Sequence, residues 1–236
     1  MQGLEKSRIM VKQVFIGVVV EGSTDARFLL SIIQRTFEAV AYQCTSEIEV
    51  IPPYLLRDID RGNTFSDLVI DASCKGIQQL GALTVVVHTD SDTDSYEERF
   101  QHKFVPALER LSEFANDENY CTIITPLIPV RMIEAWMLAD KKLLKDEIGT
   151  DLSDIELGIA RDPEKIANPK AVISEAIRVA THGKSRRRQS LTISDLYGTI
   201  GASISLEELS RLASYRKFRE WVEVTYRKLG YLSGGT

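Results

Sequence analysis

The chain has 236 residues, 44% of them hydrophobic and 27% charged, with a formal net charge of −5 at pH 7. That length can bury a sizeable core. No apolar run approaches the ~20 residues needed to span a bilayer, and Met1 to Lys12 is too polar for the core of a signal peptide, so a cytoplasmic protein with no membrane partner is expected. Cys44, Cys74 and Cys121 are odd in number and far apart, which argues against disulfides and zinc, and the acidic balance confines nucleic-acid binding to a local basic patch or a metal-offset site.

In chain order, Val14 to Val20 is a β-branched run that stops at Glu21-Gly22, as a strand buried on both faces should. Ser23 is then a suitable N-cap for a helix over Thr24 to Ala41, with Phe28, Leu29, Ile32, Ile33 and Phe37 as its apolar stripe. Glu47 to Ile51 reads as a second strand stopped by Pro52-Pro53, and Arg57 to Asn63 as a loop. The spacing of Leu68, Val69, Ala72, Ile77 and Leu80 predicts a helix over Phe65 to Leu80, with Gly76 its weak point. A strand over Leu83 to Val87, a helix over Tyr96 to Phe114 and a strand over Cys121 to Ile128 follow. Such alternation predicts an α/β fold: a Rossmann-like, mainly parallel four-stranded sheet flanked by helices. Beyond Arg131 the strand signal ends and helices are expected at Met132 to Ala139, Ala167 to Ala180, Leu206 to Leu212 and Phe218 to Leu229, the last two separated by Ser214-Tyr215. The division is therefore an α/β domain over residues 1–140 and a helical C-terminal extension over residues 141–236 packed on it.

The chemistry lies where two of these strands end. The first ends on Glu21-Gly22-Ser23-Thr24-Asp25, the later one on His88-Thr89-Asp90-Ser91-Asp92-Thr93-Asp94. Open parallel sheets bind ligands at the C-terminal ends of their strands, and carboxylates crowded there repel one another unless a cation intervenes. If the chain stays extended after the strand, Asp90, Asp92 and Asp94 point the same way, and two of them suffice for Mg²⁺ or Mn²⁺, whose remaining positions go to water and phosphate oxygens. Glu21, from the neighbouring strand, completes such a site or acts as general base. Asp94 serves either as a further ligand or as N-cap of the Tyr96 helix, and Asp25 either as a ligand or as a carboxylate favoured at its helix N-terminus.

These residues resemble the Toprim family of topoisomerases, bacterial primases, small RNA-processing nucleases and overcoming-lysogenization-defect nucleases. Its signature is a hydrophobic strand ending in glutamate and glycine, matched by Glu21-Gly22 with Asp25 downstream, and a later strand ending in Asp-x-Asp, matched by Asp90 and Asp92. The resemblance covers Val14 to Ile128. It implies a Toprim-like domain in which the glutamate acts as acid, base or ligand and the aspartates hold Mg²⁺ (or Mn²⁺) during phosphodiester chemistry. The segment Ile128-Pro129-Val130-Arg131-Met132-Ile133-Glu134-Ala135-Trp136 looks like one in small bacterial Toprim-like proteins often encoded beside ABC-type ATPases and implicated in phage defence. That implies a metal-dependent nuclease or effector acting on DNA or RNA with an ABC-type ATPase partner, with homo-oligomerisation left open. Glu134 becomes an additional metal ligand and Arg131, three residues earlier on the same helical face, a phosphate contact; an ordinary ion pair between these two is the competing reading.

No topoisomerase body, primase zinc cysteines or Gly-x-x-x-x-Gly-Lys-Ser/Thr loop accompanies the motif, so any ATPase is another chain. Lys184-Ser185-Arg186-Arg187-Arg188 is the only dense basic run, read as an exposed loop that either holds a nucleic-acid backbone through Lys184, Arg186, Arg187 and Arg188 or is simply solvated. His88 reads as a packed core side chain, as do Trp136 and Trp221. Two other functions fit less of the pattern: a non-hydrolytic regulatory subunit of an ATPase complex that binds metal or nucleotide, and a metal-dependent transferase holding a nucleotide-sugar, in which Glu21-Gly22 has no role.

Overall fold

The computed structural model describes residues 11–233. The first apolar run is broken at Phe15 into β1 (Lys12–Val14) and β2 (Ile16–Val19). The chain then turns through Glu21-Gly22 into α1 (Ser23–Ala41). Gly22, not Ser23, is the N-cap residue, and Asp25 closes the turn by accepting from the Gly22 N–H at 2.8 Å. β3 (Ile48–Val50) pairs in parallel with β1 as a separate two-stranded ribbon. The polar, proline-interrupted stretch that follows contributes a strand the sequence did not announce, β4 (Tyr54–Leu55). Next come α2 (Phe65–Leu80) and β5 (Thr84–His88). The helix over Tyr96 to Ser112 is not uniform: α3 (Tyr96–Arg99) passes through one π-helical turn, Phe100–Phe104, into α4 (Val105–Ser112). The last strand is β6 (Ile124–Leu127).

The main sheet has the order β4-β2-β5-β6, and all its pairings are parallel. From β2 the chain crosses to β4 on one side, then returns to β5 on the other. The strand order therefore reverses between β2 and β5, and the crevice outside the C-terminal ends of those two strands is where an open α/β sheet places its ligand. Glu21 and Asp90 lie just beyond those two ends.

Strand alternation assigns each face its own core. Val85 and Val87 pack with Val69, Ala72 and Phe104 on one side, whereas Val86, Ile16 and Val18 pack with Phe28, Trp136 and Phe218 on the other. Gly76 turns out to be a packing residue: a Cβ there would stand 2.8 Å from Val85 Cγ2, so glycine lets α2 lie directly on β5.

After β6 the described chain is helical: α5 (Glu134–Met137), α6 (Lys141–Ile148), α7 (Pro169–Thr181), α8 (Arg186–Gln189), α9 (Ile193–Ser203), α10 (Leu206–Leu209) and α11 (Ala213–Lys228). The break expected at Ser214-Tyr215 is absent; both are buried inside α11. Ser214 Oγ accepts from the indole N–H of Trp136 at 2.8 Å, and Tyr215 lies edge-on to the same ring, so what reads as a polar interruption is an internal hydrogen-bonding face. A buried hydroxyl chain, Thr84–Thr125 at 2.9 Å and Thr125–Thr225 at 2.7 Å, ties α11 to the sheet. Cys44, Cys74 and Cys121 are free, and burial pushes the Cys121 thiol up to about 11. Among the described residues no helix is long and apolar enough to cross a membrane.

Candidate functional site: an acidic cluster at the sheet edge

Four carboxylates from four segments meet at the C-terminal edge of the sheet. Glu21 follows β2, Asp25 stands in the first turn of α1, Asp90 follows β5, and Glu134 opens α5 just beyond β6. Each has a defined partner. Glu21 Oε1 accepts from Thr89 Oγ1 at 2.6 Å, Asp90 Oδ1 accepts from the Ile133 N–H at 3.1 Å, and Glu134, 5% exposed, accepts from the hydroxyl of Tyr197 on α9.

The imidazole of His88 sits between two of them. Its Nε2 is 3.2 Å from Asp90 Oδ1 and its Nδ1 is 3.7 Å from Asp25 Oδ2, the latter nitrogen having no hydrogen-bond partner. His88 is indeed buried, as its position inside an apolar strand requires, yet it is also part of the site.

The electrostatics follow from this crowding. Burial raises the Asp90 carboxyl above the ordinary carboxylate range, and the nearby charges of Glu21 and Asp25 push it the same way, against the hydrogen bond from His88. The Tyr197 phenol is raised by burial, then by Glu134, Asp25 and Asp90. Tyr197→Phe, which strips the buried Glu134 carboxylate of its hydroxyl donor, is expected to cost ~1–3 kcal/mol in urea unfolding at neutral pH. An unchanged midpoint would show that Glu134 needs no such partner.

Asp92 and Asp94 do not join the cluster. The extended geometry that would align them with Asp90 is replaced by a tight loop. Ser91 Oγ donates to the Thr93 carbonyl at 2.5 Å and accepts from the Arg131 N–H at 2.7 Å, while the Asp92 N–H donates to the Arg131 carbonyl at 3.2 Å. Asp92 consequently adopts φ 59°, and its side chain, 76% exposed, pairs with Arg99. Asp94, 77% exposed, lies 3.5 Å from Arg131, and the helix N-cap expected of it belongs to Ser95. Arg131 itself, at φ 65°, precedes the helix rather than sharing a helical face with Glu134, so the ion pair between them does not form. Its Nε is buried without a partner.

The basic run is not a free loop either. Residues Arg186–Gln189 form the short α8. Lys184 Nζ donates to the Gly149 carbonyl at 2.7 Å and Arg188 Nη1 to the Ile148 carbonyl at 3.4 Å, so both cap the C-terminus of α6, where cations are favoured. Lys184, Arg186, Arg187 and Arg188 are all exposed, as expected of the run.

Among the described residues no group of three or more His, Cys, Asp and Glu side chains stands ready as a metal cage. The donor chemistry nevertheless suits a hard divalent cation of the magnesium type, which usually takes only one or two protein carboxylates and keeps several waters. Asp90, with its raised carboxyl, and His88, whose Nδ1 has no hydrogen-bond partner, are the members of the cluster least satisfied by the protein itself. Sequence reasoning passed over Thr89 and Tyr197 and gave His88 no role at the site; Tyr197 carried no local signal, because its segment shows no acidic or metal-type spacing. No protein-family model, no curated protein and no solved structure matches this chain.

Proposed function

We propose that the chain is a Toprim-like, Mg²⁺- or Mn²⁺-dependent phosphodiester hydrolase acting on nucleic acid. The observation that carries this reading is the convergence of Glu21, Asp25, Asp90 and Glu134 at the point where the strand order reverses. Asp90 and Glu21 would hold the ion, with Glu134 in support and Asp92 left outside. A bound divalent cation supplies neutralisation of phosphate charge and a lowered pKa for water. The protein's own part is to orient the reacting groups: Thr89 fixes the Glu21 carboxylate as acceptor for a proton, the Ile133 N–H holds Asp90, and Tyr197 holds Glu134. Service to an ABC-type ATPase in phage defence is the setting this reading proposes. A non-hydrolytic subunit is the second reading, favoured by the lack of a three-ligand cage among the described residues.

The test is cleavage of end-labelled DNA and RNA by the purified chain with Mg²⁺ or Mn²⁺ and with chelator. Metal-dependent cleavage lost in chelator is expected. Binding should also show thermally: at 100 times Kd a ligand stabilises by about 2.7 kcal/mol, which at roughly 2–4 °C per kcal/mol for a chain of this size raises the melting midpoint by about 5–11 °C. A melting curve indifferent to both ions would remove the metal from the proposal. Metal binding without cleavage until an ATPase co-purifies would favour the second reading.

A further inference from the structure

A cleft adjoins the acidic cluster, sharing Glu21 and His88 with it and adding two cations. It measures about 270 Å³, and its walls include Glu21, Arg61, Thr64, Phe65, His88 and Lys103. That is below the ~300–1,000 Å³ of sites for drug-sized ligands, so it suits one small group rather than a nucleoside. Arg61 Nη2 donates to the carbonyl oxygens of Val20 and Glu21, each at 3.0 Å, which carries the guanidinium to the end of β2 on neutral acceptors. Lys103 Nζ is 6.0 Å from the centre of the Phe65 ring. Among the described residues neither cation forms an ion pair with a carboxylate. Lys103 lies in the π-helical turn Phe100–Phe104, a distortion frequent at functional sites. At the entry to α2 the Asp67 N–H is taken by Thr64 Oγ1. Asp67 also accepts from the Asn63 and Thr64 N–H groups, so the full positive charges of this cleft are those of Arg61 and Lys103.

We propose that this cleft is a phosphate subsite, held by Lys103 and Arg61, that takes the backbone phosphate next to the one presented to the acidic cluster. The inference rests on the phosphodiester reading above. A strand crossing the carboxylates meets repulsion there, and two unpaired cations immediately alongside supply attraction for its next phosphate, positioning the chain without reading its sequence.

The experiment is an amide-resolved NMR titration of the full chain in chelator, so that no divalent ion contributes, with inorganic phosphate and with a dinucleotide carrying a single internal phosphate. Saturable shifts at the amides of Arg61 to Phe65 are expected from both probes, in competition with each other. Lys103→Gln, a change at a partly exposed side chain, should weaken both about tenfold, the loss of one charge-assisted hydrogen bond. Equal affinity in Lys103→Gln and the parent, or no saturable shift at these amides, overturns the subsite. Binding of inorganic phosphate without the dinucleotide assigns the cleft to a free anion and overturns the backbone assignment. A separate Mn²⁺ titration without phosphate, read as broadening around Asp90, reports on the metal reading: if it fails while the phosphate shifts persist, the subsite stands and the metal-dependent activity falls.

Discussion

Asp90→Asn is expected to lower metal-dependent cleavage by at least ~10²–10³-fold, the usual cost of removing one preorganised electrostatic group, and at the same time to raise the melting midpoint of the metal-free protein. The two effects share one cause. Burial, reinforced by Glu21 and Asp25, lifts the Asp90 carboxyl above its ordinary value, so the folded chain binds that proton more tightly than the unfolded chain, where the group titrates near 3.9. Stability from this group therefore falls as the pH rises from about 4 through the raised folded value, and the full penalty is present at neutral pH. Asparagine keeps the oxygen that accepts from the Ile133 N–H at 3.1 Å and faces His88 Nε2 at 3.2 Å, but removes the charge. A gain of about 1 kcal/mol corresponds to roughly 2–4 °C in a chain of this size. Calorimetry in chelator at pH 7 and again near pH 4 checks the sign, since the advantage of the variant should shrink at the acid end. A variant that cleaves like the parent would take Asp90 out of the chemistry, and one that melts lower at pH 7 would show that the charged carboxylate is compensated within the protein.

How far the sequence revealed this site depended on whether the information was local. β-branched runs ending on Glu21 and Asp90 are local signals, and they located the two strand ends between which the sheet order reverses. Phe65–Leu80 was legible to the residue from its apolar stripe, and the Thr64–Asp67 capping box and left-handed Gly81 C-cap of the structure agree with that stripe. Asp92 misled for a different reason. Period-two spacing aligns side chains only in extended chain, and whether the chain stays extended after β5 is decided by Ser91 bonding across to Arg131, forty residues away. Tyr197 and Lys103 belong to the same class of invisible residue: one reaches Glu134 from the helical extension, the other faces the crevice only through a π-helical turn that no periodicity announces. The extension thus contributes to the candidate site as well as supporting it, because Glu134 is held by α9.

That dependence can be tested away from any carboxylate. Gly201 on α9 packs against α1 so closely that a Cβ would lie 2.3 Å from the Phe28 carbonyl oxygen and 2.8 Å from Phe28 Cα, both backbone atoms that cannot rotate aside. Gly201→Ala must therefore push the two helices apart. It also strains the guanidinium of Arg35, which reaches from α1 to the Gly201 and Ile204 carbonyls at 2.8 and 2.6 Å, and it displaces Tyr197, one turn earlier on α9, from Glu134. Overpacking of this kind costs ~1–3 kcal/mol and occasionally more, outweighing the ~1 kcal/mol by which alanine ordinarily improves on glycine in a helix. A loss of about 2–3 kcal/mol is expected in urea unfolding, with metal-dependent activity falling alongside. Gly198 supplies the internal control, since a Cβ there meets nothing within 4 Å. Gly198→Ala should stabilise the same helix by up to ~1 kcal/mol through propensity alone. Opposite signs at two glycines three residues apart would isolate the α1–α9 contact as the cause; equal signs would mean that α9 does not lie against Phe28 and that Glu134 is held in some other way.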